Sequence, residues 1–159
     1  MNGMDLPPEI EFHEDIRLFI YKPRGLLDEV EVSRAVNVLS ELEAKLKEPF
    51  NRFCDTSEID RIELNYRYVI HVSLYRVLSY ADRPPVKSAV LAPDSTIAHY
   101  FQLHAVITKG SPITVRIFQQ QEDVAKWLGV PLQRLGENPR DSTNQTAGNV
   151  RLTNDETSA

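Results

Sequence analysis

Four histidines and one cysteine are the residues most able to ligate a metal or act as nucleophiles. His13, His71, His99 and His104 form neither an HExxH pattern nor a Cys-His cluster with zinc-finger spacing. Cys54 lies inside an apolar segment, where a thiol is usually a small core side chain. The scattered glycines form neither of the common phosphate-binding loops. We therefore predict no metal, no cofactor and no catalytic residue, so no enzyme is indicated.

A short polar run gives a candidate binding loop. Asp55 ends a predicted strand over residues 50–55, Thr56 and Ser57 follow it, and Asn65 is the N-cap of the next predicted helix. Ligands of parallel sheets gather at the carboxyl ends of the strands, near the following helix N-terminus. We therefore predict that these four residues form a binding loop. The alternative is that Asp55 and Ser57 only satisfy backbone amides in a turn.

The helix that follows this loop carries a candidate interface. Tyr68, His71, Tyr75 and Arg76 lie beside the stripe expected to be buried, and Tyr and Arg are enriched in protein interfaces. A homodimer is the simplest form of this hypothesis. The alternative is that these side chains pack beneath a neighbouring helix.

Periodicity predicts the elements that position these residues. A β-hairpin is expected over residues 9–22, ended by Pro23 and Gly25. Further strands are expected over residues 50–55, 86–91 and 113–118, and residues 56–63 are expected to form a polar loop. Amphipathic helices are expected over residues 28–48, 65–81, 93–108 and 122–128. In the second helix the expected buried stripe is Tyr66, Ile70, Leu74, Val77 and Ala81.

This order predicts an α/β domain with a mixed, mostly parallel sheet of about five strands, an antiparallel edge and about four helices. The single domain is expected over residues 9–131, after an extension of residues 1–8. Residues 138–159 contain few apolar side chains, so we expect a disordered tail there.

Net charge and hydropathy narrow the classes of partner that the protein is expected to bind. The 159 residues carry a net charge of −5, which gives no basic surface for nucleic acid. No apolar run is long enough to span a membrane, and the first residues do not resemble a signal peptide. A single cysteine is compatible with a reducing compartment, so a cytoplasmic location is predicted.

Four segments carry a resemblance to a known family. They are KPRGLLD at residues 22–28, RFCDTSEID at 52–60, PPVKSAVL at 84–91 and VRIFQQQEDVAKWLG at 115–129. Together with the order of elements, they resemble the bacterial STAS family of anti-sigma-factor antagonists, and specifically its SpoIIAA-like relatives of unknown function. The resemblance implies a SpoIIAA-like fold over residues 9–130.

The same resemblance implies where a regulatory phosphoserine would lie. The family motif falls on Glu63 to Tyr66, which contains no serine or threonine. The phosphoacceptor is therefore absent, and Thr56 and Ser57 are the nearby hydroxyls.

Two functions are left open. The first is a non-catalytic interaction or signalling module that binds a protein partner or a second copy of itself. The second is a carrier or sensor of a small hydrophobic ligand, which related folds hold between helices and sheet. Apolar residues around the third helix favour the second function, and tight packing on both sides of that helix is the alternative explanation for them. They are Ile97, Tyr100, Phe101, Leu103, Val106 and Ile107.

Overall fold

The computed structural model describes residues 5–136. The predicted tail at 138–159 and the first four residues of the predicted extension lie outside the described residues.

Seven strands and four α-helices form the described chain. The strands are β1 (Ile10–His13), β2 (Leu18–Tyr21), β3 (Gly25–Asp28), β4 (Asn51–Asp55), β5 (Ile59–Glu63), β6 (Val86–Leu91) and β7 (Ile113–Phe118). The helices are α1 (Glu29–Lys45), α2 (Tyr66–Ser79), α3 (Ser95–Thr108) and α4 (Gln121–Leu128), followed by a 3-10 turn (Leu132–Leu135).

The main sheet has the order β1-β2-β4-β6-β7. The β1–β2 hairpin is antiparallel, and the other three neighbouring pairs are parallel. This arrangement confirms the predicted fold class, with five strands, one antiparallel edge and four α-helices. Strands β6 and β7 have the predicted bounds.

Period-two alternation along the strands separates two cores. Phe53 of β4 and Leu18 of β2 pack with α4 and the 3-10 turn on one face. Phe19 packs with α1 on the other face, where Cys54 packs with α3. Because Arg52 lies two residues before Cys54, it shares the face covered by α1 and α3.

Helix α1 begins where Asp28 accepts a hydrogen bond from the backbone N–H of Glu31 at 3.0 Å. Its buried side includes Ala35 and the fully buried Leu42. The helix ends at Lys45, three residues before the predicted end. Glu48 precedes Pro49, and a residue before proline disfavours helical backbone.

Strands β3 and β5 were not predicted from the sequence. They pair in parallel as a separate two-stranded sheet, whereas residues 56–63 were expected to be a loop and the chain was expected to turn at Gly25. Their apolar positions are few, and in β5 only Ile59 is buried. Segments of four or five residues carry no clear periodicity. Each of these strands also pairs with a partner more than 30 residues away, which the local sequence does not indicate. Gly25 begins β3 with a φ of +70°, which glycine adopts without strain.

The buried face of α2 was also predicted wrongly. Tyr66, Ile70 and Leu74 are exposed, with exposures of 54%, 40% and 49%. The buried residues are Val69, Ser73 and Arg76. Apolar side chains lie around most of this helix, so hydropathy alone does not identify the covered face.

Replacing Leu42 with alanine should lower the free energy of unfolding by about 2–5 kcal/mol, because the fully buried side chain leaves a cavity. Urea denaturation measures the change. The control on the same helix is Val30→Ala, which is 73% exposed and should change stability by less than about 0.5 kcal/mol. Equal effects of the two substitutions would contradict the face assigned to α1.

Candidate functional site

A cavity of about 180 Å³ lies between the main sheet and the three helices α1, α2 and α3. Its walls are mostly apolar, and each of these elements contributes to them. The apolar lining includes Val32, Val36 and Leu39 of α1, Val69 and Val72 of α2, Phe101 of α3, and Phe19, Val90 and Ile113 of the sheet. Protein interiors are usually packed with few voids larger than a water molecule, so a space of this size is the leading candidate for a binding site.

Polar links join α1 and α2 at both ends of their shared gap. Near the start of both helices, the Tyr68 hydroxyl donates to the backbone oxygen of Glu29 at 3.0 Å and lies 2.5 Å from the Ser33 hydroxyl. Two helical turns later, Arg76 donates to the Ser40 hydroxyl at 3.2 Å and to the Glu43 carboxylate at 2.7 Å. The links are about 12 Å apart along α2, and the cavity occupies the apolar stretch between them.

Three buried charged side chains lie at the second of these links. The Glu43 carboxylate accepts hydrogen bonds from both Arg52 of β4 and Arg76 of α2. The side chains of Glu43, Arg52 and Arg76 are 7%, 7% and 5% exposed. Burial lowers the pKa of the Arg52 guanidinium, the Glu43 carboxylate opposes this shift, and Arg76 adds to it. We call these three residues the arginine–glutamate cluster.

Arg52 keeps two unpaired donors. Its Nε and Nη1 groups are buried and have no hydrogen-bond partner among the described residues. The Phe50 and Tyr80 rings each lie with their centroids 4.9 Å from Cζ, so aromatic surface covers the guanidinium. Arg52 lines the large cavity and also a space of about 40 Å³ bordered by these two rings and Arg83.

His104 of α3 contributes a neutral imidazole to the cavity wall. Its Nδ1 lies 2.7 Å from the Ser73 hydroxyl, which itself donates to the backbone oxygen of Val69 at 2.7 Å. Because the hydroxyl proton is used for Val69, Nδ1 of His104 carries a proton and donates to Ser73, leaving Nε2 as an acceptor. Burial lowers the pKa of His104 to about 4, and the positive charge of Arg76 adds to the shift.

Two further polar groups line the cavity from paired strands. Tyr21 of β2 and Cys54 of β4 are register partners, and the buried Tyr21 hydroxyl has no hydrogen-bond partner among the described residues. Burial raises the pKa of both the Tyr21 phenol and the Cys54 thiol. Both groups are therefore protonated at neutral pH, and Cys54 lacks the thiolate that a nucleophile needs.

The residues of the predicted binding loop lie in two places. Thr56 is fully buried and donates through its hydroxyl to the backbone oxygen of Leu91 at 2.7 Å. Asp55 accepts hydrogen bonds from the amide and the hydroxyl of Ser57 at 3.0 and 2.6 Å. Strand β5 then carries the chain to Asn65, whose side chain caps α2 through the Tyr68 amide and donates to Glu29 at 3.0 Å. The hydrogen bonds of Asp55, Thr56 and Ser57 are thus those of a turn and a strand end, whereas Asn65 caps α2 and also joins it to α1.

The predicted interface residues are also divided between two environments. Tyr75 is half exposed and His71 is exposed, whereas Tyr68 is partly buried and hydrogen-bonded to α1. Arg76 is 5% exposed, so it belongs to the cavity and not to the outer surface of α2. The outer surface instead presents apolar side chains. They are Tyr66, Ile70, Leu74, Tyr75 and Leu78.

Sequence reasoning missed Glu43, Arg52 and His104 as lining or cluster residues. A signal for two of them was present. Glu43 lies four residues after Leu39, next to the apolar stripe of α1, and Arg52 alternates with Cys54 in an otherwise apolar strand. Opposite charges at positions expected to face a core indicate buried partners.

Within residues 5–136, no group of three His, Cys, Asp or Glu side chains is placed to hold a metal ion. Over the same range, no helix combines the length and the hydrophobicity needed to cross a bilayer.

Comparisons with known proteins give likenesses among solved structures alone. The sequence matches no family model, and no curated protein matches it. Among solved structures, the chain is similar to an uncharacterized protein of the DUF3478 family, with a SpoIIAA-like fold, from Shewanella loihica PV-4. The two chains are 17% identical, the match covers 79% of this chain and 99% of the other, and the TM-score is 0.49. SpoIIAA-like is also the fold that the sequence resemblance implied.

The low pKa of His104 makes stability depend on pH. Between the ordinary value of 6.5 and about 4, the unfolded chain binds a proton that the folded chain does not, so stability falls as the pH falls. From pH 7.5 to pH 5 this group should remove about 2 kcal/mol. Denaturant unfolding at the two pH values, compared between the wild-type chain and His104→Gln, measures it. Equal pH dependence of the two chains would contradict a buried neutral imidazole.

Proposed function

We propose that the protein is a non-catalytic carrier or sensor that binds a small apolar molecule in the cavity between α1, α2, α3 and the sheet. The observation that supports this function is the cavity itself, about 180 Å³ of mostly apolar space inside a packed α/β domain. A mainly apolar pocket with a few converging polar groups is typical of small-molecule sites. The partly buried, protonated Cys54 agrees with a reducing, cytoplasmic location.

The volume limits the size of the ligand. An engineered apolar cavity of about 150 Å³ binds benzene, so this cavity is large enough for one ring or a short aliphatic chain. The polar groups around it have modest roles, because Ser73 and His104 bond to each other and the Cys54 thiol is protonated. These groups select and orient a ligand and supply no activated nucleophile.

A sensor function needs a path from the cavity to the surface. Val69 and Val72 of α2 line the cavity, while Ile70, Leu74 and Tyr75 of the same helix face solvent. A ligand in the cavity therefore contacts the inner side of α2, and the outer side of the same helix is an exposed apolar surface. Binding and partner recognition would then share one helix.

The cavity should bind toluene in a saturable manner, detected by NMR shifts of the lining valine methyl groups. Val72→Phe fills the space with a larger side chain and should weaken toluene binding by at least about tenfold. The matched control is Leu78→Phe on the same helix, which is 77% exposed and should bind as the wild-type chain does. Absence of saturable binding to the wild-type chain would refute the proposed function.

A second candidate function, self-association, is favoured by the outer side of α2. Tyr66, Ile70, Leu74 and Leu78 form an i, i+4 row and Tyr75 lies beside it, all of them exposed. Contiguous exposed apolar surface of this kind is typical of interfaces, and two such rows from two copies interdigitate as in ordinary helix packing. We propose a homodimer through this row, with Tyr75 as an aromatic anchor.

Tyr75→Ala should weaken the dimer by about 1–3 kcal/mol, the usual loss for a buried interface aromatic, while the monomer stays folded. Sedimentation over a concentration series measures the association, and thermal unfolding of the same samples tests the fold. Val30→Lys, on the exposed side of α1, is the control and should leave association unchanged. A wild-type chain that remains monomeric at high micromolar concentration would exclude the dimer.

A further inference from the structure

The charges buried beside the cavity do not balance. The arginine–glutamate cluster holds two guanidinium groups and one carboxylate, and each of its side chains is more than nine-tenths buried. Withdrawing an ion from water costs several kcal/mol unless a partner compensates it. The neighbouring His104 is neutral at pH 7 and supplies no counter-charge. The described protein groups therefore leave one positive charge beside the cavity wall.

The unused donors of Arg52 mark where a counter-charge would bind. Nη2 donates to Glu43, whereas Nε and Nη1 are buried without a partner. Phe50 and Tyr80 cover the guanidinium with their rings, so an acceptor reaches these N–H groups along an edge of the guanidinium plane. Nε and Nη1 lie on different edges of the guanidinium, and Nη2, which adjoins both, already binds Glu43, so each free N–H group can bind one oxygen of a carboxylate.

We propose that the ligand of the large cavity is a small apolar monocarboxylate, with its hydrocarbon body in the cavity and its carboxylate on Arg52. This inference rests on the proposed function and adds the charge of the ligand. One negative charge balances the cluster, whereas a doubly charged phosphate would reverse its sign. The cavity has room for one ring or a short chain beside that group.

The test compares benzoate with toluene, its uncharged analogue, on the full chain by calorimetric titration at pH 7. Benzoate should bind at least about tenfold more tightly, since hydrogen bonds to a buried charged group contribute about 1.5–3 kcal/mol. If neither compound binds, the proposed function fails together with the inference. If toluene binds and benzoate binds no more tightly, only the inference is overturned.

Acetate is the third compound, because Arg52 also borders the smaller space of about 40 Å³. Acetate carries the carboxylate without the hydrocarbon body, and it should bind at least about tenfold more weakly than benzoate. Equal affinities would place a free anion in the small space and overturn the inference.

Two variants test the role of the cluster. Arg52→Met keeps an unbranched side chain, pairs Glu43 with Arg76 alone, and should abolish the preference for benzoate, measured as the ratio of the benzoate and toluene affinities because Arg52 also lines the cavity. Glu43→Gln removes the internal counter-charge and should increase benzoate affinity, a gain that a poorly folded protein cannot produce. Thermal unfolding shows whether Glu43→Gln is folded at the titration temperature. Benzoate preference that survives Arg52→Met, or benzoate affinity that does not rise in folded Glu43→Gln, would overturn the inference.

Discussion

One carboxylate holds together three elements that are distant in the sequence. Glu43 of α1 accepts hydrogen bonds from Arg52 of β4 and from Arg76 of α2, so the position of each helix over the sheet depends on the same side chain. Removing one partner from a buried ion pair typically costs about 3–5 kcal/mol, because the remaining charge stays buried without compensation. The spacing of α1 and α2 is thus set at this end by polar contacts.

The cavity follows from this arrangement. Tyr68 and Arg76 are long side chains that cross from α2 to polar groups of α1, while the valines between them are too short to fill the same gap. Larger residues at Val36 or Val72 would close the space and strengthen the core. The space therefore stays open because the side chains that face it are short.

Local patterns predicted most of the framework. The hairpin, β6, β7 and the cap at Asn65 depend on neighbouring residues, and the structure has them where the sequence indicates. The face of α2 and the β3–β5 pair depend on partners far along the chain, and the sequence did not identify them. The same holds for the site, because Glu43, Arg52 and Arg76 acquire their roles only when three separate elements meet.

The small β3–β5 sheet has a mechanical consequence. Its two parallel strands lead directly into α1 and into α2, so both walls of the cavity start from one hydrogen-bonded base. Asn65 and Tyr68 fasten the helices to each other at that same end, through Glu29. The two helices are therefore fixed to each other at both ends: at their first turns through β3, β5 and Glu29, and near their last turns through the hydrogen bonds of Arg76 to Ser40 and Glu43. The cavity lies between two helices whose separation is set by hydrogen bonds at each end, and not by side chains that fill the space between them.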